Sequence, residues 1–238
     1  MRKIYLLQLA IILLSCKSSY KVHEFVDPEE YLQDIKTELR KEWPDNRTIN
    51  LVFHGHSVPA GFFKTPVVNT LDSYPYQVLA GLKAMYPTAV INIINTAIGG
   101  ENSVSGEMRF KSEVLTHHPD VLFIDYSLND RRVGLEQAYE SWSSMINKAL
   151  KQNVKVILLT PSPDKKVDIL ENNTVLDQHT SQVKLLAKEY GLGIIDSYAL
   201  FKQKVAAGDN ISYYMSQSNH PNKAGHQLIA NDILSYFE

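Results

Sequence analysis

The strongest constraint on this chain is an alternation. Apolar runs rich in β-branched residues occur at Ile49–Phe53, Val90–Asn95, Val121–Asp125, Val154–Thr160 and Gly193–Asp196. Between them lie longer stretches with helical patterning, about Tyr74–Met85, Val104–His117, Gly134–Gln152 and Val175–Tyr190, and a last one at Asn222–Phe237. A run that is apolar at successive positions suits a strand buried on both faces, as in a parallel sheet. Strands alternating with helices predict a doubly wound α/β domain. With 238 residues, 44% of them apolar, the chain has material for one sizeable core.

Open sheets of this kind bind ligands beyond the carboxyl ends of their strands. Two segments at those positions carry chemistry. Phe53–Gly61 reads FHGHSVPAG and offers Ser57 just past the first strand, with Gly55 permitting a tight turn. Ser218–His226 reads SNHPNKAGH and offers His220 just before a helical run, with Pro221 suited to its first turn. A serine becomes a nucleophile when a general base takes its proton, and histidine is the usual base. Gly100 and Asn129 also fall a few residues past expected strands. The first segment is not a G-x-S-x-G nucleophile elbow, because Pro59 stands at the second glycine position.

Four blocks in order resemble the SGNH (GDSL-type) hydrolases, a family of esterases and lipases. They are Gly55-His56-Ser57, Asn95-Thr96-Ala97-Ile98-Gly99-Gly100, Ser127-Leu128-Asn129-Asp130 and Gln217-Ser218-Asn219-His220-Pro221-Asn222. The resemblance covers roughly residues 49–237. It implies a three-layer α/β/α domain with five parallel strands in the flavodoxin-like order 2-1-3-4-5. It implies Ser57 as nucleophile and His220 as general base. The backbone N–H groups of Ser57 and Gly100 and the side-chain amide of Asn129 would form an oxyanion hole. His56, Ser127 and Tyr74 are expected near substrate, and Asp130 as a buttress of its loop.

The chain departs from the family at the third triad position, three residues before the histidine, where Gln217 replaces an aspartate. Three arrangements are open. A Ser57–His220 dyad is supported by a backbone carbonyl or by Gln217, which is the arrangement favoured. Another acid such as Asp209 reaches His220. Or the site is weak or dead. The corresponding functions are hydrolysis of carboxylic esters, in particular O-acetyl groups on glycans, or glycan binding without cleavage. Acyl transfer to an acceptor other than water is a further alternative.

Composition narrows the partners. A net charge of −2 with no long basic run gives no reason to expect nucleic acid. His54-x-His56 stands alone, without a cysteine cluster or H-E-x-x-H, so neither a metal nor another cofactor is expected. The oligomeric state is not legible. At the start, Arg2 and Lys3 precede an apolar run, Ile4–Leu14, too short to span a bilayer and suited to a signal-peptide core. Leu13-Leu14-Ser15-Cys16 resembles a bacterial lipobox, and Cys16 is the only cysteine. The expected organisation is therefore a signal peptide over 1–15 and a tether over 16–26 that is lipidated at Cys16. An N-terminal helix over 27–46 and the hydrolase domain over 47–238 would follow. The protein is expected to be exported and anchored to an envelope membrane.

Overall fold

The computed structural model describes residues 24–238. The expected leader, the lipidation site Cys16 and most of the tether lie outside these residues. The chain enters through two short helices, α1 (Pro28–Tyr31) and α2 (Gln33–Leu39). Asp27 caps α1 by accepting the Glu29 N–H, and Pro28 occupies the first turn. This is shorter and more broken than the single helical segment expected over 27–46. Leu32 interrupts the helix (φ −106°, ψ 22°), which lets both Leu32 and Leu39 turn into the core. Trp43 is 84% exposed, so no burial extends the helix that far.

Five parallel strands follow, β1 (Thr48–Gly55), β2 (Val90–Asn95), β3 (Val121–Asp125), β4 (Lys155–Leu159) and β5 (Gly193–Ile195), in the order β2-β1-β3-β4-β5. Helices α3 (Tyr74–Met85), α4 (Ser103–Glu113), α6 (Leu135–Leu150), α7 (Val175–Tyr190) and α9 (Lys223–Leu234) lie at the expected segments. Two further helices were not anticipated. A single turn, α5 (Ser127–Asp130), follows β3. The longer α8 (Ser197–Ala206) is capped by Asp196, which accepts the Ala199 N–H. Its apolar contribution is small, with Tyr198 and Phe201 turned inward, so its period was not visible against the flanking residues.

Side chains alternate between the two faces of the sheet, as strand geometry requires. Leu51, Phe53, Val121, Phe123, Ile157 and Ile195 face α1, α2, α3, α8 and α9. Val52, Leu122, Ile124, Val156 and Leu158 face α4, α6 and α7, where Trp142, Met145 and Leu186 fill the layer. The N-terminal helical segment shares the first of these cores through Leu32, Ile35 and Leu39. Register is pinned at the centre, where Phe53 pairs with Phe123 and their rings stack at 4.3 Å.

The chain leaves β1 for β2 on one side and returns to β3 on the other. The strand order therefore reverses at β1, which opens a crevice at the carboxyl ends of the strands. At that edge Gly55 packs against β3 so closely that a Cβ would lie 2.4 Å from the Asp125 carbonyl oxygen. The glycine is required by this approach, and it brings the next two residues over the strand ends.

Candidate active site

Ser57 follows β1 in a turn that is laced to its neighbours. His56 N–H donates to the Asp125 carbonyl (3.2 Å), and Phe62 N–H donates to the Ser57 carbonyl (3.0 Å). His220 reaches the same place from the far end of the chain. Ser216 N–H donates to the His220 carbonyl (2.9 Å), which closes a tight loop. Asn222 caps α9 by accepting from Ala224 and Gly225 N–H. Pro221 therefore stands one residue before the cap, outside the helix rather than in its first turn.

The result is a direct contact. His220 Nε2 lies 2.8 Å from Ser57 Oγ. Both residues line a cavity of about 300 Å³ with Phe62, Thr65, Gly99, Gly100, Asn129, Arg132, Gln217 and Asn219. Burial lowers the His220 pKa from its ordinary 6.5, and the Phe63 carbonyl opposes that shift in part. The ring is thus neutral at pH 7, the state in which it accepts a proton.

The other ring nitrogen has two neighbours. Nδ1 lies 3.1 Å from the Phe63 carbonyl oxygen and 2.7 Å from Gln217 Nε2. Gln217 is oriented by a fixed donor, since Thr65 N–H donates to its Oε1 (3.1 Å), which turns the amide nitrogen toward His220. A carbonyl can only accept, and an amide NH₂ can only donate. One nitrogen cannot satisfy both. With the proton on Nδ1, the ring donates to Phe63 and turns the Nε2 lone pair toward Ser57. With the proton on Nε2, it accepts from Gln217 and cannot take the serine proton. Asp209 does not enter, because it is engaged by the Tyr214 hydroxyl (2.5 Å) and makes no contact with His220.

Three donors converge on the crevice. The backbone N–H groups of Ser57 and Gly100 have no acceptor among the described residues. Gly100 has φ +85°, a conformation that favours glycine, and the space where a side chain would stand is open. Asn129 spends one amide hydrogen on the Glu101 carbonyl (2.7 Å) and keeps the second. Asp130 lies buried behind it, where it accepts from Ser103 N–H (2.8 Å) and Trp142 Nε1–H (2.7 Å). It holds the loop, as expected.

The structure corrects the three residues expected near substrate. His56, Ser127 and Tyr74 are all buried and none lines the cavity. His56 accepts Val58 N–H at Nδ1 (3.1 Å), so its proton sits on Nε2, 3.4 Å from Asp125 Oδ1. The Ser127 hydroxyl turns toward the Leu159 carbonyl (3.4 Å). Tyr74 donates its hydroxyl to Asp125 Oδ2 (3.0 Å) beneath the sheet edge. Replacing Tyr74 by phenylalanine leaves that oxygen without a donor and should cost about 1–3 kcal/mol of stability in a urea titration. The KM for a short ester should not move, and a large rise would put the ring back in contact with substrate.

Sequence reasoning missed a supporting lattice. Arg109 grips the Glu101 carboxylate through Nε (2.9 Å) and donates from its terminal nitrogen to the Thr96 carbonyl (2.7 Å). Tyr126 donates to Glu101 (3.2 Å), and its hydroxyl lies 3.1 Å from His54 Nε2. Burial lowers the His54 pKa to about 3, so that ring stays neutral. His54 also meets Thr96 Oγ1 (2.9 Å) and the Gly106 carbonyl (3.2 Å), which accounts for both ring nitrogens. Similarly, His226 stacks on Phe63 (5.1 Å) and accepts Tyr74 N–H (3.2 Å), which steadies the segment whose carbonyl holds His220. The period-two spacing of His54 and His56 was the one available signal, and it marked packing.

Comparison with known proteins agrees with this geometry. The family model for GDSL-like lipases and acylhydrolases matches residues 53–228. An acetylxylan esterase of Geobacillus stearothermophilus is 25% identical over 174 residues, 68% of this chain and 78% of that protein. An uncharacterized lipoprotein of Bacillus subtilis (strain 168) is 31% identical over 91 residues, 35% of each protein. Among solved structures, a Geobacillus stearothermophilus acetylxylan esterase superposes with a TM-score of 0.69 at 23% identity, over 79% of this chain and 94% of that one. The chain belongs to the GDSL-like lipase/acylhydrolase family and, with it, to the carboxylic ester hydrolases.

Proposed function

We propose that the protein is a serine esterase that removes O-acetyl groups from carbohydrate through an acyl-enzyme. The contact between Ser57 Oγ and His220 Nε2, at 2.8 Å, is the observation that carries the reading. Ser57 attacks the ester carbonyl while His220 takes its proton. The negative oxygen is met by the N–H groups of Ser57 and Gly100 and by the Asn129 amide. His220 then gives the proton to the leaving sugar oxygen; water, deprotonated by His220, attacks the acyl carbon, and acetate leaves as His220 returns that proton to Ser57 Oγ. The Phe63 carbonyl, rather than an acid, holds the productive tautomer. The cavity of about 300 Å³ lies at the small end for ligand sites and favours a short acyl group. The acetylxylan esterase among the relatives supports a carbohydrate as the alcohol part. The lipoprotein relative supports an exported, lipid-anchored protein, for which Cys16 is the proposed attachment site.

A fluorophosphonate reacts only with an activated serine. Treatment of the protein should attach the probe to Ser57, located by peptide mass, and acetate should be released from acetylated xylo-oligosaccharides. An intact Ser57 after prolonged exposure, with no acetate released, would replace this reading with glycan binding. The Gln217 amide facing His220 is the observation that favours that second reading.

A further inference from the structure

We propose that the esterase site selects an anionic glycan, and that Arg132 recognises a sugar carboxylate next to the acylated sugar. The inference rests on the esterase reading of the site and names its substrate class. Arg132 is the only charged residue among those lining the cavity. Its neighbour in sequence behaves differently. Arg131 folds under the loop, donating from Nε to the Leu128 carbonyl (2.8 Å) and forming an ion pair with Asp164 (3.1 Å). Arg132 is exposed, and among the described residues its guanidinium forms no ion pair or hydrogen bond.

The carboxylates of the surrounding loops are already committed. Glu101 is held by Arg109, Asp130 by Ser103 and Trp142, and Asp164 by Arg131. None of them lines the cavity. Lys64 precedes the lining residue Thr65, and Lys165 is tied by its backbone to Ser218 in the histidine loop (2.7 Å). Neither lysine has an ion pair among the described residues. Arg132 therefore presents a positive charge with no carboxylate partner on the cavity wall, on a chain whose net charge is −2. A planar guanidinium matches a carboxylate with two parallel hydrogen bonds. Asn219 and Thr65 line the same cavity and supply neutral partners for sugar hydroxyls.

The test compares acetate release from matched acetylated oligomers of galacturonate and galactose, which differ in the carboxylate. The wild-type protein should favour the acidic oligomer in kcat/KM. Arg132→Gln should reduce the acidic-to-neutral ratio by about tenfold or more. Arg132→Lys should retain part of the preference, and added salt should weaken it. Equal rates on the two oligomers in the wild type, or a preference that survives Arg132→Gln, would overturn the proposal. Binding is read separately by calorimetry with unacetylated oligogalacturonate on the Ser57→Ala protein, with and without Arg132→Gln. If no acetate is released from any ester, the esterase reading has failed. Arg132-dependent calorimetric binding would still support anion recognition, and its absence would overturn that too.

Discussion

Substituting Ser57 by alanine should lower kcat/KM for p-nitrophenyl acetate by at least about 10³-fold. In the proposed mechanism Ser57 is the one group that forms a bond to the acyl carbon, so its loss removes the covalent route altogether. The donors of Ser57 N–H, Gly100 N–H and Asn129 remain, and they support only slow attack by water. Ser57 is almost fully buried, and its hydroxyl bonds only to His220 among the described residues. Alanine therefore leaves the turn between His56 and Phe62 intact. A thermal melt should show the variant folded, which separates lost chemistry from lost structure. Persistence of the esterase activity in a folded Ser57→Ala protein would remove Ser57 from the mechanism.

Exchanging Gln217 for glutamate should raise kcat/KM by about ten- to a hundredfold, a part of the roughly 10⁴-fold that a triad carboxylate contributes elsewhere. Glutamine faces His220 Nδ1 with a donor, which favours the tautomer that cannot accept the serine proton. Glutamate is nearly isosteric. One oxygen keeps the Thr65 N–H, and the other accepts Nδ1–H together with the Phe63 carbonyl. Asn219, whose Oδ1 now lies 3.3 Å from Gln217 Nε2, needs only an amide rotation to present its NH₂ instead.

The pH profile carries a second, independent signature. A general base works when neutral, so if His220 is the base, as proposed, activity is present above its pKa and lost as pH falls through it. Burial lowers that pKa, which places the acid limb of the wild type below 6.5. A carboxylate at position 217 stabilises the imidazolium and raises the pKa. The acid limb should then move upward while the plateau rises. A higher plateau with an unmoved limb, or a lower plateau, would show that the amide does not oppose the base in the way its geometry indicates.

Much of the architecture was legible because it follows from local pattern. Unbroken apolar runs such as Val121–Asp125 have no polar face to show to water, so they become central strands with helices on both sides. The order of the site blocks was legible for a related reason. Ser57, Gly100 and Asn129 must each follow a strand whose carboxyl end lies at one edge. Burial was less legible. Tyr74 and His56 sit in segments that border the site, yet both turn under it, where Asp125 at the end of β3 accepts from the Tyr74 hydroxyl and His56 Nε2 lies 3.4 Å from its other oxygen. That arrangement is created by the β1–β3 register and by nothing in the residues around Tyr74.

The third triad position shows the division most sharply. The residues alone establish that Gln217 carries no charge, and so that no acid stands at its usual place. They do not name the group that holds the histidine, since a backbone carbonyl is present at every residue and has no letter of its own. Only the folded loop, with Phe63 stacked on His226, puts one particular carbonyl 3.1 Å from Nδ1. The same holds for two adjacent arginines. Sequence makes Arg131 and Arg132 equivalent in charge, whereas the tertiary structure gives one to Asp164 and leaves the other at the mouth of the cavity. Local pattern thus determines which elements form and which residues reach the strand ends. The partner each group finds there is decided by long-range packing, because it depends on distances between segments far apart in the chain.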